Sequence, residues 1–284
     1  KQEKSNPGRR RTDPVLMFKI FVLQRYYDLS DDAVEYQILD RLSFMKFLGL
    51  TLEDPVPDAK TIWKWRNEMM QAGLIDKLFR KLVRKLRSKG IIFTGGKIVD
   101  ASIMKTAKGK GEANDEDDDD DINENSERQT DRDSAYDGHK KANGYKNHIK
   151  MDQRSKMIEN FEVSPANEHD SQYLEDLIEE GDEEIYADKA YDSKKIRQAL
   201  KKRGIKNKIM KKARRGKKQF GEFRKYNKSL SSIRSGVEHV FGWIKRQRHR
   251  FQVRARSLAR ATAEITLQNI TYNLFNLIRL GKSI

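Results

Sequence analysis

Apolar residues recur every three or four positions through the first third of the chain, which is the spacing of helices with one buried face. Asp13 followed by Pro14, then Ser30 and Asp58, are typical residues for helix starts, and glycines follow the apolar runs as helix ends. The pattern therefore predicts an all-α unit whose four helices cover residues 13–29, 30–49, 57–73 and 74–90.

Beyond residue 90 the period shortens and β-branched residues become frequent, which is typical of strands. The stretches at 145–152 and 157–164 are separated by a short polar turn and predict a hairpin. Further strands are predicted at 97–103, 184–190 and 204–210, and helices at 173–181, 193–203, 230–250 and 257–280. This order predicts an α/β fold with a mixed sheet flanked by helices, behind an all-α N-terminal domain.

Three segments lack the apolar content that a core requires. Residues 1–12 predict a flexible basic arm, and residues 108–136, which contain the run DEDDDDD, predict a disordered acidic insertion. Residues 211–228 are basic and interrupted by glycines, so we expect a loop there.

The formal net charge of +16 indicates a polyanionic partner, most simply nucleic acid. From Ser193 to Gln219 the chain has fourteen Lys and Arg residues and no acidic residue, which favours phosphate binding over a solvated surface. The chain has no cysteine, so thiolate metal sites and disulfides are excluded. It also has no apolar run of membrane-spanning length, so we expect no membrane partner.

Three carboxylates stand at informative positions. Asp100 and Asp188 each follow a predicted strand, where sites gather in open α/β sheets, although for either aspartate alone a helix cap or a turn is the simpler explanation. On a helical wheel Arg234, Glu238 and Lys245 share one edge beside an apolar stripe. An ordinary i,i+4 ion pair between Arg234 and Glu238 is the alternative to a functional site there. Three carboxylates on such a core would suit Mg²⁺, since two such ions can promote phosphodiester transfer.

Five motifs in this order carry a family resemblance: GGKIVDAS, GYKNHIKMD, NEHDSQ, YADKAYDS and RSGVEHVFGWIK. Together with the helical N-terminal stretch, the chain from about Asp13 to Leu277 resembles the DDE transposases of insertion sequences, in particular the IS-five-like group. The family signature of Tyr, Arg, Glu and Lys is matched by Arg234, Glu238 and Lys245, while Ser231 stands at the Tyr position.

The resemblance implies an RNase H-like catalytic domain over 93–284 and a helical DNA-binding or dimerisation domain over 13–92. It implies that Asp100, Asp188 and Glu238 are catalytic and hold two Mg²⁺ ions, with Mn²⁺ as a substitute. The implied partners are double-stranded DNA, as terminal inverted repeats and target DNA, and a second copy of the chain. The implied location is the cytoplasm of a prokaryote, in association with the nucleoid.

Further DNA contacts are expected from basic residues of several elements. In the helix at 57–73 the alternative for Trp63 is a core position, and for Lys146 and His148 it is an exposed strand face. Asp170 is interpreted as either a helix N-cap or a supporting residue of the site. The predicted DNA-binding residues are Arg234, Lys245, Lys146, His148, Lys211, Lys212, Arg214, Arg215, Lys64, Arg66, Arg246 and Arg248.

The sequence thus predicts a metal-dependent transposase that cleaves and joins DNA strands. Two alternatives from other classes stay open: a domesticated DNA-binding protein without activity, and an RNase H-like nuclease without strand transfer. The three carboxylates argue against the first alternative, and the helical N-terminal domain argues against the second.

Overall fold

The computed structural model describes residues 12–106, 131–212, 221–246 and 252–282. The predicted basic arm, apart from Thr12, lies outside the described residues, as do most of the acidic insertion and the middle of the 211–228 segment.

The N-terminal unit consists of helices whose starts follow the predicted caps. Asp13, Ser30 and Asp58 each accept a backbone N–H from the first turn of the helix that follows. The segment predicted as one helix over 30–49 is two helices, because Arg41 adopts an extended conformation between them. The helices are α1 (Pro14–Tyr27), α2 (Asp31–Asp40), α3 (Leu42–Leu48), α4 (Ala59–Gln71) and α5 (Leu74–Ser88).

A seven-stranded mixed sheet forms the centre of the second unit. The strands are β1 (Gly96–Thr106), β2 (Ala135–Asp137), β3 (Ala142–Asp152), β4 (Ile158–Pro165), β5 (Glu184–Ala187), β6 (Lys206–Ile209) and β7 (Gln252–Val253). The antiparallel neighbours β1, β3 and β4 include the predicted hairpin, while β5 and β6 continue the sheet in parallel beyond β1. Gly144 in β3 has φ +154°, and a Cβ there would lie 2.1 Å from the Met104 carbonyl oxygen, so this pairing requires glycine.

The remaining helices are α6 (Leu174–Leu177), α7 (Lys194–Lys202), α8 (Gly221–Arg234), α9 (Gly236–Arg246) and α10 (Leu258–Arg279). Three predictions here were wrong in detail. Residues 221–228 belong to α8 instead of a loop, and the helix expected over 230–250 is divided at Ser235. Strand β2 lies within the segment predicted to be a disordered insertion, because it pairs with the start of β3.

Helices cover both faces of the sheet, which confirms the expected α/β fold with a mixed sheet flanked by helices. One face packs Ile98, Met104 and Ile149 against α5, α9 and α10, and the other packs Ile185 and Ala187 against α6 and α7. Within the described ranges no helix combines the length and the apolar character needed to cross a membrane.

Helix α10 belongs to both units. Its Ile265, Ile270 and Leu277 are buried in the core of the sheet unit, whereas Ala263 and Leu267 are buried among the apolar residues of the N-terminal helices. The C-terminal helix is therefore part of the core.

Candidate active site

Asp100 and Asp188 lie side by side at one end of the sheet. Strands β1 and β5 are parallel neighbours, and Val99 is the register partner of Ala187, so the next residue of each strand path is one of the two aspartates. The Asp188 carboxylate also accepts the backbone N–H of Ala190, so it caps the short turn that follows β5. Asp188 therefore caps this turn and also lies beside Asp100.

Arg234 connects Asp100 with Glu238. Its Nη1 donates to Asp100 Oδ2 at 2.9 Å, and its Nη2 lies 3.8 Å from Glu238 Oε1. The side chains of Asp100 and Arg234 are largely buried, while that of Glu238 is 68% exposed. Arg234 is the last residue of α8 and Glu238 lies in the first turn of α9, so the contact spans a helix break and not one continuous helix.

The site has an excess of negative charge. Burial is the main cause that raises the pKa of Asp100 to about 6, and the nearby carboxylates of Asp188 and Asp170 act in the same direction. Arg234 opposes this shift, as does the N–H of Ala101. Because the carboxylate of Asp100 is largely buried near those of Asp188 and Asp170, an added cation would be stabilised at this position.

Tyr191 is a residue of this site that the sequence reasoning missed. Its hydroxyl is buried and has no hydrogen-bond partner among the described residues. Burial, followed by the charges of Asp100, Asp170 and Asp188, raises its pKa well above the ordinary value. Tyr191 belongs to the motif YADKAYDS, but only the tertiary fold shows that it lies near Asp100, Asp170 and Asp188.

Asp170 is not the N-cap of the short helix that follows it, because the side chain of His169 accepts the N–H of Ser171 instead. Asp170 Oδ1 lies 2.9 Å from Lys146 Nζ, which also donates to the Glu168 carbonyl at 2.6 Å. Asp170 thus joins the acidic cluster and is held in place by Lys146.

The structure does not bring His148 to Asp100 or Asp188. His148 and Lys146 are register partners of Ala101 and Ile103, so they point to the sheet face opposite Asp100. The buried His148 ring stacks on Tyr173 with 4.3 Å between the ring centroids. Lys146 is therefore buried in its ion pair with Asp170 and His148 is packed against Tyr173, and neither side chain has the exposure that a DNA contact needs.

The other predicted DNA-binding residues are spread over the surface. Lys64, Lys211, Lys212 and Lys245 are exposed. Partial burial, followed by repulsion from Lys140 and Lys105, lowers the pKa of Lys245, which indicates that three cations converge near α9. Arg214, Arg215 and Arg248 lie outside the described residues, as does the side chain of Arg246.

Arg66 is mostly buried although it was predicted to contact DNA, and Trp63 is half exposed although a core position was its alternative. Arg66 makes two 2.7 Å hydrogen bonds to the Asp31 carboxylate and is mostly buried, so it stabilises the helical unit. Trp63, for which a core position was the alternative, is 50% exposed.

Carboxylate oxygens are the ligands that Mg²⁺ and Mn²⁺ prefer, and the acidic cluster fits a divalent ion in its chemistry. In the part of the chain that the structure describes, no three Asp, Glu or His side chains are close enough together to form a complete metal site. Glu238 is 68% exposed, and its carboxylate contacts Arg234.

The fold is thus a mixed α/β domain with paired aspartates at the ends of two parallel strands. Residues 92–274 match the family described as Transposase DDE domain, and residues 2–68 match the family described as Transposase domain (DUF772). Because the first match covers more than half of the chain, this protein belongs to the DDE transposase family and is a transposase, an enzyme that acts on DNA.

One solved structure with a similar chain is described as "Cryo-EM structure of piggyBac transposase synaptic complex with hairpin DNA (SNHP)". The match has a TM-score of 0.48 and 13% sequence identity, and it covers 100% of this chain and 71% of that chain. Membership of the IS-five-like group stays a prediction.

Proposed function

We propose that Asp100, Asp188 and Glu238 are the catalytic triad of this transposase, which cleaves DNA at terminal inverted repeats and joins the ends to target DNA. The observation that carries this proposal is the register of β1 and β5, which sets Asp100 beside Asp188, together with the contacts of Arg234 to Asp100 and to Glu238. Asp100 and Asp188 are 88 positions apart in the sequence and lie side by side at the end of one sheet, and Arg234 links Asp100 to Glu238.

The three carboxylates would hold two Mg²⁺ ions, or Mn²⁺ in their place. When bound, these ions would supply Lewis-acid activation of a water or a 3′-hydroxyl and stabilise the leaving oxygen. The raised pKa of Asp100 supports this role, because burial and the charges of Asp188 and Asp170 raise it in spite of the nearby Arg234.

In the structure the guanidinium of Arg234 binds Asp100 and contacts Glu238, so it takes the place that a metal ion would have beside these two carboxylates. A guanidinium matches phosphate oxygens as well as it matches carboxylates. We propose that Arg234 shifts to a DNA phosphate when the end is bound. Glu238, which lies in the first turn of α9 and is exposed, is then free to turn toward Asp100 and Asp188.

The basic residues would hold the DNA backbone, with Lys245, Lys211 and Lys212 at the surface of the catalytic unit. We propose that the unit over 13–92 reads the terminal repeats and contributes to a homodimer, because two ends must be paired. The protein would act in the cytoplasm of a prokaryote, on nucleoid DNA.

The test uses the full chain with DNA that carries the element's ends, a target plasmid and Mg²⁺. The parent should produce joined products, and Asp188→Asn and Glu238→Gln should lose them by at least about a thousandfold, since each removes a group that acts directly on the reacting atoms. Glu222→Gln is a matched control, because this exposed glutamate lies in the first turn of α8, about 18 Å along the helix from Arg234 at its end, and should leave joining unchanged.

Three outcomes would contradict the proposal in different ways. Sequence-specific binding without cleavage, in Mg²⁺ or Mn²⁺, would identify a DNA-binding protein without activity. Nicks without joining would identify a nuclease. Joined products that persist in both variants would show that other residues form the active site.

A further inference from the structure

A cleft of about 400 Å³ lies between the N-terminal helices and the start of α10, away from the acidic end of the sheet. One wall is a face of α4 formed by Trp63, Arg66, Asn67 and Met70, whose i, i+3, i+4 and i+7 spacing places them on one side of the helix. The opposite wall comes from residues 254–256 and from the first turns of α10, including Arg260.

The floor of the cleft is fixed by ion pairs between distant parts of the chain. Asp31 accepts from Arg66 and from Gln24, each at 2.7 Å, and Arg254 makes a 2.7 Å hydrogen bond to Asp28. Glu264 lies 3.4 Å from Arg25 and also accepts the backbone N–H of Arg254 at 3.0 Å. Asp28, Asp31 and Glu264 are therefore engaged in ion pairs, and these contacts hold the walls of the cleft together.

The mouth of the cleft has different chemistry from the floor. Arg254, Arg256 and Arg260 are exposed around it, and Trp63 is 50% exposed. Exposed tryptophan is a stacking surface for any nucleobase, and arginine side chains bind phosphate oxygens with bidentate geometry. The combination of one aromatic wall and a cationic rim suits a nucleotide better than a peptide or an apolar ligand.

We infer that this cleft binds one unpaired nucleotide of the DNA, with the base stacked on Trp63 and its phosphates on Arg256 and Arg260. The volume lies in the range of pockets that hold a single small ligand, so it excludes a duplex but admits a base that has left the stack. The inference rests on the proposed function in taking DNA as the ligand, and it adds a second contact site formed jointly by the two units.

The test is the quenching of tryptophan fluorescence by a short oligothymidylate, compared with a blunt duplex of the same length. Stacking of a base on Trp63 should quench the parent. Trp63→Phe should abolish most of that signal, and Trp63→Ala should weaken oligothymidylate binding roughly 5- to 100-fold. Trp65→Phe is the matched control, since Trp65 is packed against the helical core on the other side of α4 and its variant should keep the quenching. Arg260→Gln should weaken binding and reduce its salt dependence.

Quenching by oligothymidylate that is unchanged in Trp63→Phe would overturn the inference. So would binding of duplex with no measurable binding of oligothymidylate, a result that leaves the proposed function intact. A parent that binds neither duplex nor oligothymidylate and joins no ends would overturn the proposed function as well as this inference. Equal Trp63→Ala effects on unfolding and on binding would assign Trp63 a structural role, so the free energy of unfolding of each variant is measured in parallel.

Discussion

His148 shows how one residue's surroundings set a pH dependence. Its ring is buried in β3, and its Nε2 lies 2.9 Å from the Ser164 hydroxyl. Burial is the largest cause that lowers the pKa of His148 to about 4 from 6.5, and repulsion from Lys146 adds to it while Asp170 opposes it. The folded protein therefore keeps this imidazole neutral at pH values where the unfolded chain binds a proton.

This difference predicts a loss of stability as pH falls. Between pH 6.5 and 4 the unfolded state binds more protons at this position, which lowers the free energy of unfolding by about 3 kcal/mol over the window. His148→Gln removes the titration, so its free energy of unfolding should fall less than that of the parent between pH 7 and pH 4.5 in urea titrations. His239→Gln, at an exposed position of α9, should fall as the parent does. Equal losses in the parent and in His148→Gln would show that the imidazole is protonated in the folded state.

At the scale of residues, the sequence predicted those features that depend only on neighbouring residues. Ser30 and Asp58 were predicted as helix caps because a cap depends on three or four neighbouring residues. The burial of His148 and the contact between Arg234 and Asp100 depend on packing between segments that are far apart in the chain, and no local pattern contained them.

At the scale of elements, α10 fastens the β3–β4 hairpin through buried amides. Asn273 bonds to both backbone groups of Ile158, at 2.9 Å to the N–H and 2.8 Å to the carbonyl oxygen. Asn269 bonds to Asn147 of β3 at 2.9 Å, one turn earlier along the helix. These bonds set the position of the hairpin relative to the helix that packs on it.

Asn273→Leu should therefore destabilise the fold by about 2–4 kcal/mol, because the buried N–H and carbonyl of Ile158 lose their side-chain partner. Gln268→Leu on the same helix is the control, since its buried amide has no hydrogen-bond partner among the described residues, and we expect a neutral or stabilising effect. Chemical denaturation of the two variants measures the difference. A loss of the same size in both would mean that apolar packing, and not the amide bonds, fixes the hairpin.

Element boundaries were less predictable than element types. The hairpin and the strand paths of Asp100 and Asp188 followed from alternation and β-branched residues, and the structure confirms these strands. The break at Ser235 did not, since the apolar stripe continues across it. Gly236 was the available signal, because glycine is unfavourable inside a helix, and a Cβ there would lie 2.4 Å from the Lys156 Nζ of the turn between β3 and β4.

At the scale of the whole molecule, the two predicted domains share one helix and several ion pairs. Composition and period changes indicated a helical unit followed by an α/β unit, but nothing in them indicated that α10 returns to the first unit. The pairing of Arg254 with Asp28 joins residues that are 226 positions apart, and the Asp28 side chain is fully buried. Contacts of this range cannot be read from one sequence, because they depend on the complete chain path.

The shared helix predicts that the units unfold together, and Arg254 offers a test. Arg254→Met leaves the buried carboxylate of Asp28 without its guanidinium, which should lower the free energy of unfolding by about 3 kcal/mol. Tryptophan fluorescence and far-ultraviolet circular dichroism should report the same urea midpoint for the variant, since α10 still connects both cores. Lys206→Met is the control, because its ion pair with Glu184 is exposed and contributes less than about 1 kcal/mol. Two separate transitions in the parent would show that the N-terminal helices are stable by themselves, and that the contacts across α10 add little to the stability of the whole.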